Sequence, residues 1–138
     1  RYISVTGVQT CALPIYPLWL DDSLAPAFVR GVFDADGHFT THTTVAKSPV
    51  SDRVWTYVVP SLGITGYLPF LEDIREVLSR IGIRATVHKK KSPSGKVGRL
   101  LVSRKGDIIK MYDWMYQSSS ICLRRKFKKM ALWRRAYG

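Results

Sequence analysis

Apolar residues at Phe70, Leu71, Ile74, Val77, Leu78 and Ile81 recur at the three-to-four spacing of an amphipathic helix and predict one over Leu68–Ile81, closed by Gly82. Upstream, SLAPAFVRGVFDAD (Ser23–Asp36) carries a second helical pattern. Ser23 is placed to cap it, Pro26 falls in its first turn, where no backbone donor is lost, and Gly37 stops it. Phe28, Val32 and Phe33 supply core-facing bulk. Ala27, Gly31 and Ala35 recur every four residues, a stripe of small side chains along which another helix could approach backbone to backbone. Two-residue alternation and β-branched content predict a strand over His38–Ala46, with a turn at Lys47–Asp52 around Pro49. Its hairpin partner runs over Arg53–Ile64, where Pro60 and Gly63 imply a bulge or an edge. A second hairpin joins Ile83–Lys90 to Val97–Ser103 around Pro93, Ser94 and Gly95. Helices over Asp107–Tyr116 and Cys122–Arg135 complete the chain. This order predicts an α+β layer fold: four mostly antiparallel strands with helices on one face and the other face open.

Length and composition narrow the class. The 138 residues, 46% hydrophobic and 23% charged, suffice for one domain with a core and exclude wholesale disorder. No apolar run approaches the roughly 18 residues that a bilayer span requires, which excludes an integral membrane protein. Cys11 and Cys122 are too few for a disulfide framework or a zinc site. Val5–Ile15, VTGVQTCALPI, looks like the conceptual translation of a sequencing-library adaptor. Residues 1–15 are therefore expected to be non-native, with a single domain over 16–138 and Cys122 as its lone thiol.

Charge adds a partner. Tyr16–Ile83 carries five basic and eight acidic residues, whereas Arg84–Gly138 carries sixteen basic residues against Asp107 and Asp113 alone, within a net charge of +12. An ordinary solvated surface mixes its signs. A half-chain this one-sided points to a polyanion, nucleic acid first.

The chemistry lies in FVRGVFDADGHF, which puts Asp34 and Asp36 at the C-terminal end of a helix, against its dipole. That placement costs stability unless cations or hydrogen bonds compensate. Taken alone, DxDG also reads as a polar helix stop, with Asp34 capping locally and Asp36 solvated. Taken with the small-residue stripe and the order of elements, Val29–Gly37 (VRGVFDADG) resembles the nine-residue signature of the LAGLIDADG homing endonucleases. LSRIGI at the end of the second helix, YDWMY and ICLRRKFKKM are similar to family stretches as well, so the resemblance covers nearly everything from Tyr16 onward.

The resemblance implies an α-β-β-α-β-β-α fold with a saddle-shaped sheet over the major groove. The implied function is site-specific cutting of both strands of DNA by metal-dependent phosphodiester hydrolysis, in an enzyme hosted by an intron, an intein or a free-standing gene. Asp36, with Gly37 beside it, is implied to hold the divalent cation, Mg²⁺ or another, and to be catalytic. Asp34 is implied to be mostly structural, at a helix interface with Ala27, Gly31 and Ala35. That interface brings two Asp36 carboxylates together, in a homodimer or against a repeat missing from the N-terminal side. In the basic cluster, Arg124 is the nearest counterpart of a family lysine that assists the attacking water. Lys126 stands with it, and Lys105 is a weaker candidate. The segment PSLGITG departs from the Gln or Lys that the family often has before the second helix.

With Phe39 and Val45 taken as core, strand alternation turns Thr40, His42 and Thr44 to the open face. Arg84, Thr86, His88 and Lys90 join them from the third strand, and Arg99, Leu101 and Ser103 from the fourth, with Leu100 and Val102 inward. These polar residues, with Arg125, are the candidate contacts to double-stranded DNA, a partner that implies an intracellular protein. The rivals fit less well. A haloacid-dehalogenase-type phosphatase needs an apolar strand before the acids and Thr after the glycine, where this chain has Arg30, Gly31 and His38. An EF-hand needs Glu at the twelfth position from Asp34, which is Val45. His38, His42 and His88 lack the cysteine or clustered carboxylate that would complete a zinc site. The runner-up keeps the fold and drops the chemistry: a DNA-binding regulator without nuclease activity, or an RNA-binding intron maturase.

Overall fold

The structure, a computed structural model, describes residues 13–138; Cys11 and most of the adaptor-like segment lie outside the described residues. The elements are α1 (Ala25–Asp36), β1 (Gly37–Lys47), β2 (Val54–Tyr67), α2 (Leu68–Arg80), β3 (Thr86–Lys89), β4 (Val97–Val102), α3 (Lys105–Tyr116) and α4 (Arg124–Tyr137). All three strand pairings are antiparallel and the sheet runs β1-β2-β4-β3, so the two hairpins meet along their inner strands. The predicted α+β layer is the fold.

One face of the sheet carries the core. Phe39, Leu62, Ile64, Leu100 and Val102 point into it and meet Val29 and Phe33 of α1, Leu71, Ile74 and Leu78 of α2, and Ile108, Met111 and Met115 of α3. Trp133 of α4 packs edge-on against Phe39 at 5.6 Å, which holds the last helix beneath the first strand. On α1 the deepest side chains are Ala25, Val29 and Phe33, while Phe28 and Val32 sit half-buried beside them. Phe28 packs edge-on against Tyr16, at 5.2 Å between ring centroids, and Tyr16 is itself buried.

Local rules explain the boundaries. Gly82, at φ +79°, ends α2 in the left-handed conformation that glycine adopts without a Cβ clash. Its N–H donates to the Ser79 carbonyl and that of Ile83 to the Leu78 carbonyl, the paired bonds of a Schellman stop. Gly37 behaves differently, because its backbone is extended (φ −86°) and it opens β1 directly. A side chain there would collide with the Phe33 ring, so glycine is needed for close approach.

Three sequence expectations are corrected and one is narrowed. Ser23 does not cap α1. Leu24 holds that position, and the Ser23 N–H donates to Asp21 Oδ1 (2.7 Å) in a turn that precedes the helix. Of the bulge or edge expected at Pro60 and Gly63, the edge is found, at Pro60: β1 and β2 stay in register through the stretch, Thr41 opposite Pro60 and His38 opposite Gly63. Pro60 is tolerated because pairing of β2 with β4 begins only at Leu62. β3 is shorter than expected, which leaves Arg84 before the strand, and Ser103 lies just past β4. Val45 is not core but 59% exposed, because the β1–β2 hairpin outruns the helices that would cover it.

Candidate active site and nucleic-acid face

The two carboxylates at the end of α1 face opposite ways. Asp34 turns inward: Oδ1 accepts from the Tyr116 hydroxyl (3.2 Å) and Oδ2 from the Leu123 N–H (2.8 Å) at the entry to α4. It thus ties the ends of α1 and α3 to the positive end of α4, a structural station with favourable dipole electrostatics. On the far side of this junction Arg30 donates to the Met115 carbonyl (2.7 Å), placing a guanidinium at the negative end of α3. Asp36 turns outward, is exposed, and forms no ion pair among the described residues.

Lys126 supplies the compensation that the helix end requires. Its ammonium is 8% exposed over the residue and donates to the carbonyls of Phe33 and Asp34, both at 2.7 Å. It also sits 5.2 Å from the centre of the Phe33 ring. A resident cation therefore satisfies two of the last carbonyls of α1 and offsets the acidic pair. Burial pushes the Lys126 pKa down, helped by Arg125, while Asp34 and Asp36 act against that shift.

A cleft of about 410 Å³ opens beside Asp36, lined by Gly37, His38, Thr40, Arg125, Lys126 and Lys129 among others. Within the basic cluster, Arg125 and Lys126 reach this cleft. Arg124 is exposed outside it, and Lys105 begins α3 elsewhere. Sequence reading passed over Lys129, which follows Arg125 by one helical turn and so shares its face.

His38 enters from β1 over Gly63, where any Cβ would overlap the imidazole. Its Nε2 lies 3.1 Å from Arg99 Nη2, and the guanidinium can only donate, so Nε2 accepts. Burial, then Arg99, Lys126, Lys90 and Lys129, hold the His38 pKa below its ordinary value, so the ring is neutral at pH 7. The rest of the open face follows the strand alternation. Thr40, His42 and Thr44 of β1 share it with Thr86 and His88 of β3 and with Arg99 and Leu101 of β4, while Leu100 and Val102 are buried. Lys90 extends the β3–β4 ladder by donating its N–H to the Val97 carbonyl. Trp55, Tyr57 and Val59 of β2 lie on the same face, opposite Ala46, Thr44 and His42, and the sequence reading did not single them out.

Ala27, Gly31 and Ala35 are all exposed along α1, and a Cβ at Gly31 would meet nothing within 4 Å. The stripe is an unfilled face that leads to Asp36. Among the described residues no three His, Cys, Asp or Glu side chains gather as a metal cage. No helix among them is long and apolar enough to cross a membrane.

Tyr116 gives the junction a pH signature. Its hydroxyl is held well above the usual tyrosine range by burial first, then by the Asp34 charge and their hydrogen bond. The folded pKa thus exceeds the unfolded value. The contribution to stability is intact below about pH 10 and is lost as pH rises from there toward the folded pKa. Urea unfolding should show Tyr116→Phe to be about 1 kcal/mol less stable at neutral pH, with a shallower decline than the parent above about pH 10.

Comparison with known proteins agrees with this geometry. The chain matches solved homing endonucleases in fold. I-CvuI in complex with the I-CreI target aligns at TM-score 0.61 and 20% identity, covering 83% of this chain and 66% of that one. I-TnaI aligns at TM-score 0.57 and 16% identity, over 78% and 69% of the two chains. I-SmaMI bound to uncleavable DNA aligns at TM-score 0.56 and 18% identity, over 80% of this chain and 35% of that one. This chain therefore spans about two thirds of I-CvuI and a third of I-SmaMI. No curated protein matches. The model of the LAGLIDADG-like domain matches residues 23–113, two thirds of the sequence and the whole of the DADG helix, and the chain belongs to the LAGLIDADG family.

Proposed function

We propose that this chain is one half of a DNA endonuclease that cuts both strands of a specific site, with two DADG helices side by side. The observation that carries the proposal is the exposed small-residue face of α1 ending at an exposed Asp36 that forms no ion pair among the described residues. A single hard carboxylate oxygen donor fits a divalent cation such as Mg²⁺ only in part. A second Asp36 and DNA phosphates would complete the six or so oxygens such an ion takes. When bound, the cation supplies an activated water and stabilises the leaving oxygen. The chain's own residues do the rest. Asp36 holds charge at the cleft, Lys126 keeps the end of α1 in place, and Arg125 and Lys129 line the path of an approaching phosphate. The basic open face of the sheet seats the duplex.

One observation favours a binding-only protein on the same fold: PSLGITG lacks the Gln or Lys that family members often carry before α2. Selection of bound sequences from a random duplex library, followed by incubation with Mg²⁺ or EDTA, separates the readings. An endonuclease cuts its selected duplex only with the cation. Tight binding without cutting supports the regulator, and preference for structured RNA supports the maturase. In all DNA-binding cases affinity should fall by about a thousandfold or more between 50 and 200 mM salt.

Pairing has its own test. Gly31→Leu fills open space in the single chain and replaces a poor helix former, so thermal stability should hold or rise slightly. The bulky side chain would keep two α1 helices apart. Sedimentation of the DNA complex should then show one copy per duplex instead of two, and double-strand cutting should disappear. Normal cutting by this variant would overturn the proposed interface.

A further inference from the structure

The open face of the sheet is not uniform. Its β3–β4 half presents Thr86, His88, Lys90 and Arg99, hydrogen-bonding and charged groups. Its outer β1–β2 half presents His42, Thr44, Ala46, Val59, Tyr57 and Trp55, without one charged side chain. Trp55 and Tyr57 stand 50% and 47% exposed. They lie on the stretch of β2 that pairs with β1 alone, because pairing with β4 begins at Leu62. Arg53, two residues before Trp55 and so on its face, flanks this apolar surface where the hairpin turns, with the Ser48 N–H closing the turn on the Arg53 carbonyl (3.0 Å), whereas Lys47, opposite Val54, takes the other face.

We propose that the outer β1–β2 ribbon reads thymine methyl groups by apolar contact through Trp55 and Tyr57, while Arg53 holds a flanking phosphate. This rests on the DNA-binding reading above and adds the kind of sequence information taken up by this half of the sheet. The occupant is a duplex major groove, because the apolar surface is continuous with the basic β3–β4 half of the face and is rimmed at the hairpin turn by Arg53. A two-stranded ribbon also fits a groove about 12 Å wide. Of the major-groove edges, only thymine offers a methyl, and it is the one feature an aromatic or aliphatic side chain can reward.

The strand sets the position. Thr44, opposite Tyr57, and Ala46, opposite Trp55, lie eight and ten residues beyond Asp36. At roughly 3.3 Å per residue and 3.4 Å per base pair, these contacts fall about 8 to 10 base pairs from the cut. Both aromatic residues lie off the hydrophobic core, so their replacement leaves the fold in place.

The test uses the full chain and duplexes selected by it from a random library. Thymine is expected at those outer positions. Deoxyuridine in its place, which removes only the methyl, should weaken binding roughly fourfold per site. Trp55→Ala and Tyr57→Ala should bind the two DNAs equally, whereas Trp55→Phe and Tyr57→Phe should retain the discrimination. Equal binding of thymine and deoxyuridine by the parent chain would overturn the inference. So would full discrimination in the alanine variants, or a change in their oligomeric state with discrimination intact. Failure to enrich any duplex would instead overturn the DNA-binding reading itself.

Discussion

Asp36→Asn is expected to abolish Mg²⁺-dependent cutting, by about a thousandfold or more, while leaving the affinity for duplex DNA and the pairing of the chain unchanged. The substitution keeps the shape and removes the charge of a side chain that is exposed and makes no internal ion pair among the described residues. Nothing in the packing of the single chain depends on it. The same change removes a negative charge from the negative end of α1, so the free protein should gain stability, on the order of 0.3–1 kcal/mol. A variant that is more stable and inactive would mark Asp36 as a residue kept for function at a cost to the fold. Cleavage assays and thermal melts on the same preparation check both halves. Retained cutting, or a melt that falls by several degrees, would count against this assignment.

Lys126→Met is expected to act in the opposite sense, on the fold first. Methionine keeps most of the buried stem but leaves the Phe33 and Asp34 carbonyls without the ammonium that now satisfies them at 2.7 Å. Two charge-assisted bonds and a favourable dipole contact disappear. Discounting for the desolvation that the buried ammonium no longer suffers, stability should drop by about 2–3 kcal/mol in urea unfolding. Cutting should fall as well, because Asp36 is the last residue of a helix end that has lost its anchor, two residues beyond the Asp34 carbonyl. The double variant Lys126→Met/Asp36→Asn separates the roles. If Lys126 chiefly offsets the acidic end of α1, Asp36→Asn should stabilise the Lys126→Met background by more than it stabilises the parent. If it only fills space, Asp36→Asn should have the same effect on stability in either background.

Much of this architecture is legible in the sequence because local rules and burial agree. The spacing of Leu71, Ile74 and Leu78, the left-handed stop at Gly82 and the alternation around Leu100 and Val102 each have one satisfactory reading. The DADG helix is legible for the same reason: Gly37 must lack a side chain to pass Phe33, and Pro26 marks the first turn. Val45 misleads because alternation reports which face a residue takes and not whether anything covers that face. The basic cluster misleads by angle. Arg124, Arg125 and Lys126 are neighbours in sequence but about 100° apart around a helix. The seating of α4, through Trp133 on Phe39, the Leu123 N–H on Asp34 and Lys126 on the end of α1, decides which of them reach the cleft beside Asp36. The inward turn of Asp34 toward Tyr116 and Leu123 depends on partners more than 80 residues away, which no local pattern contains.

The outer β1–β2 ribbon has a consequence for the history of the protein. Its strands lean only on each other, so residues there can be exchanged without disturbing the buried layer that keeps Asp36 and Lys126 in place. Under the function proposed above, a lineage that drifts at positions 42, 44, 55, 57 and 59 would acquire new addresses in a genome while the Asp36 end of α1 stays as it was.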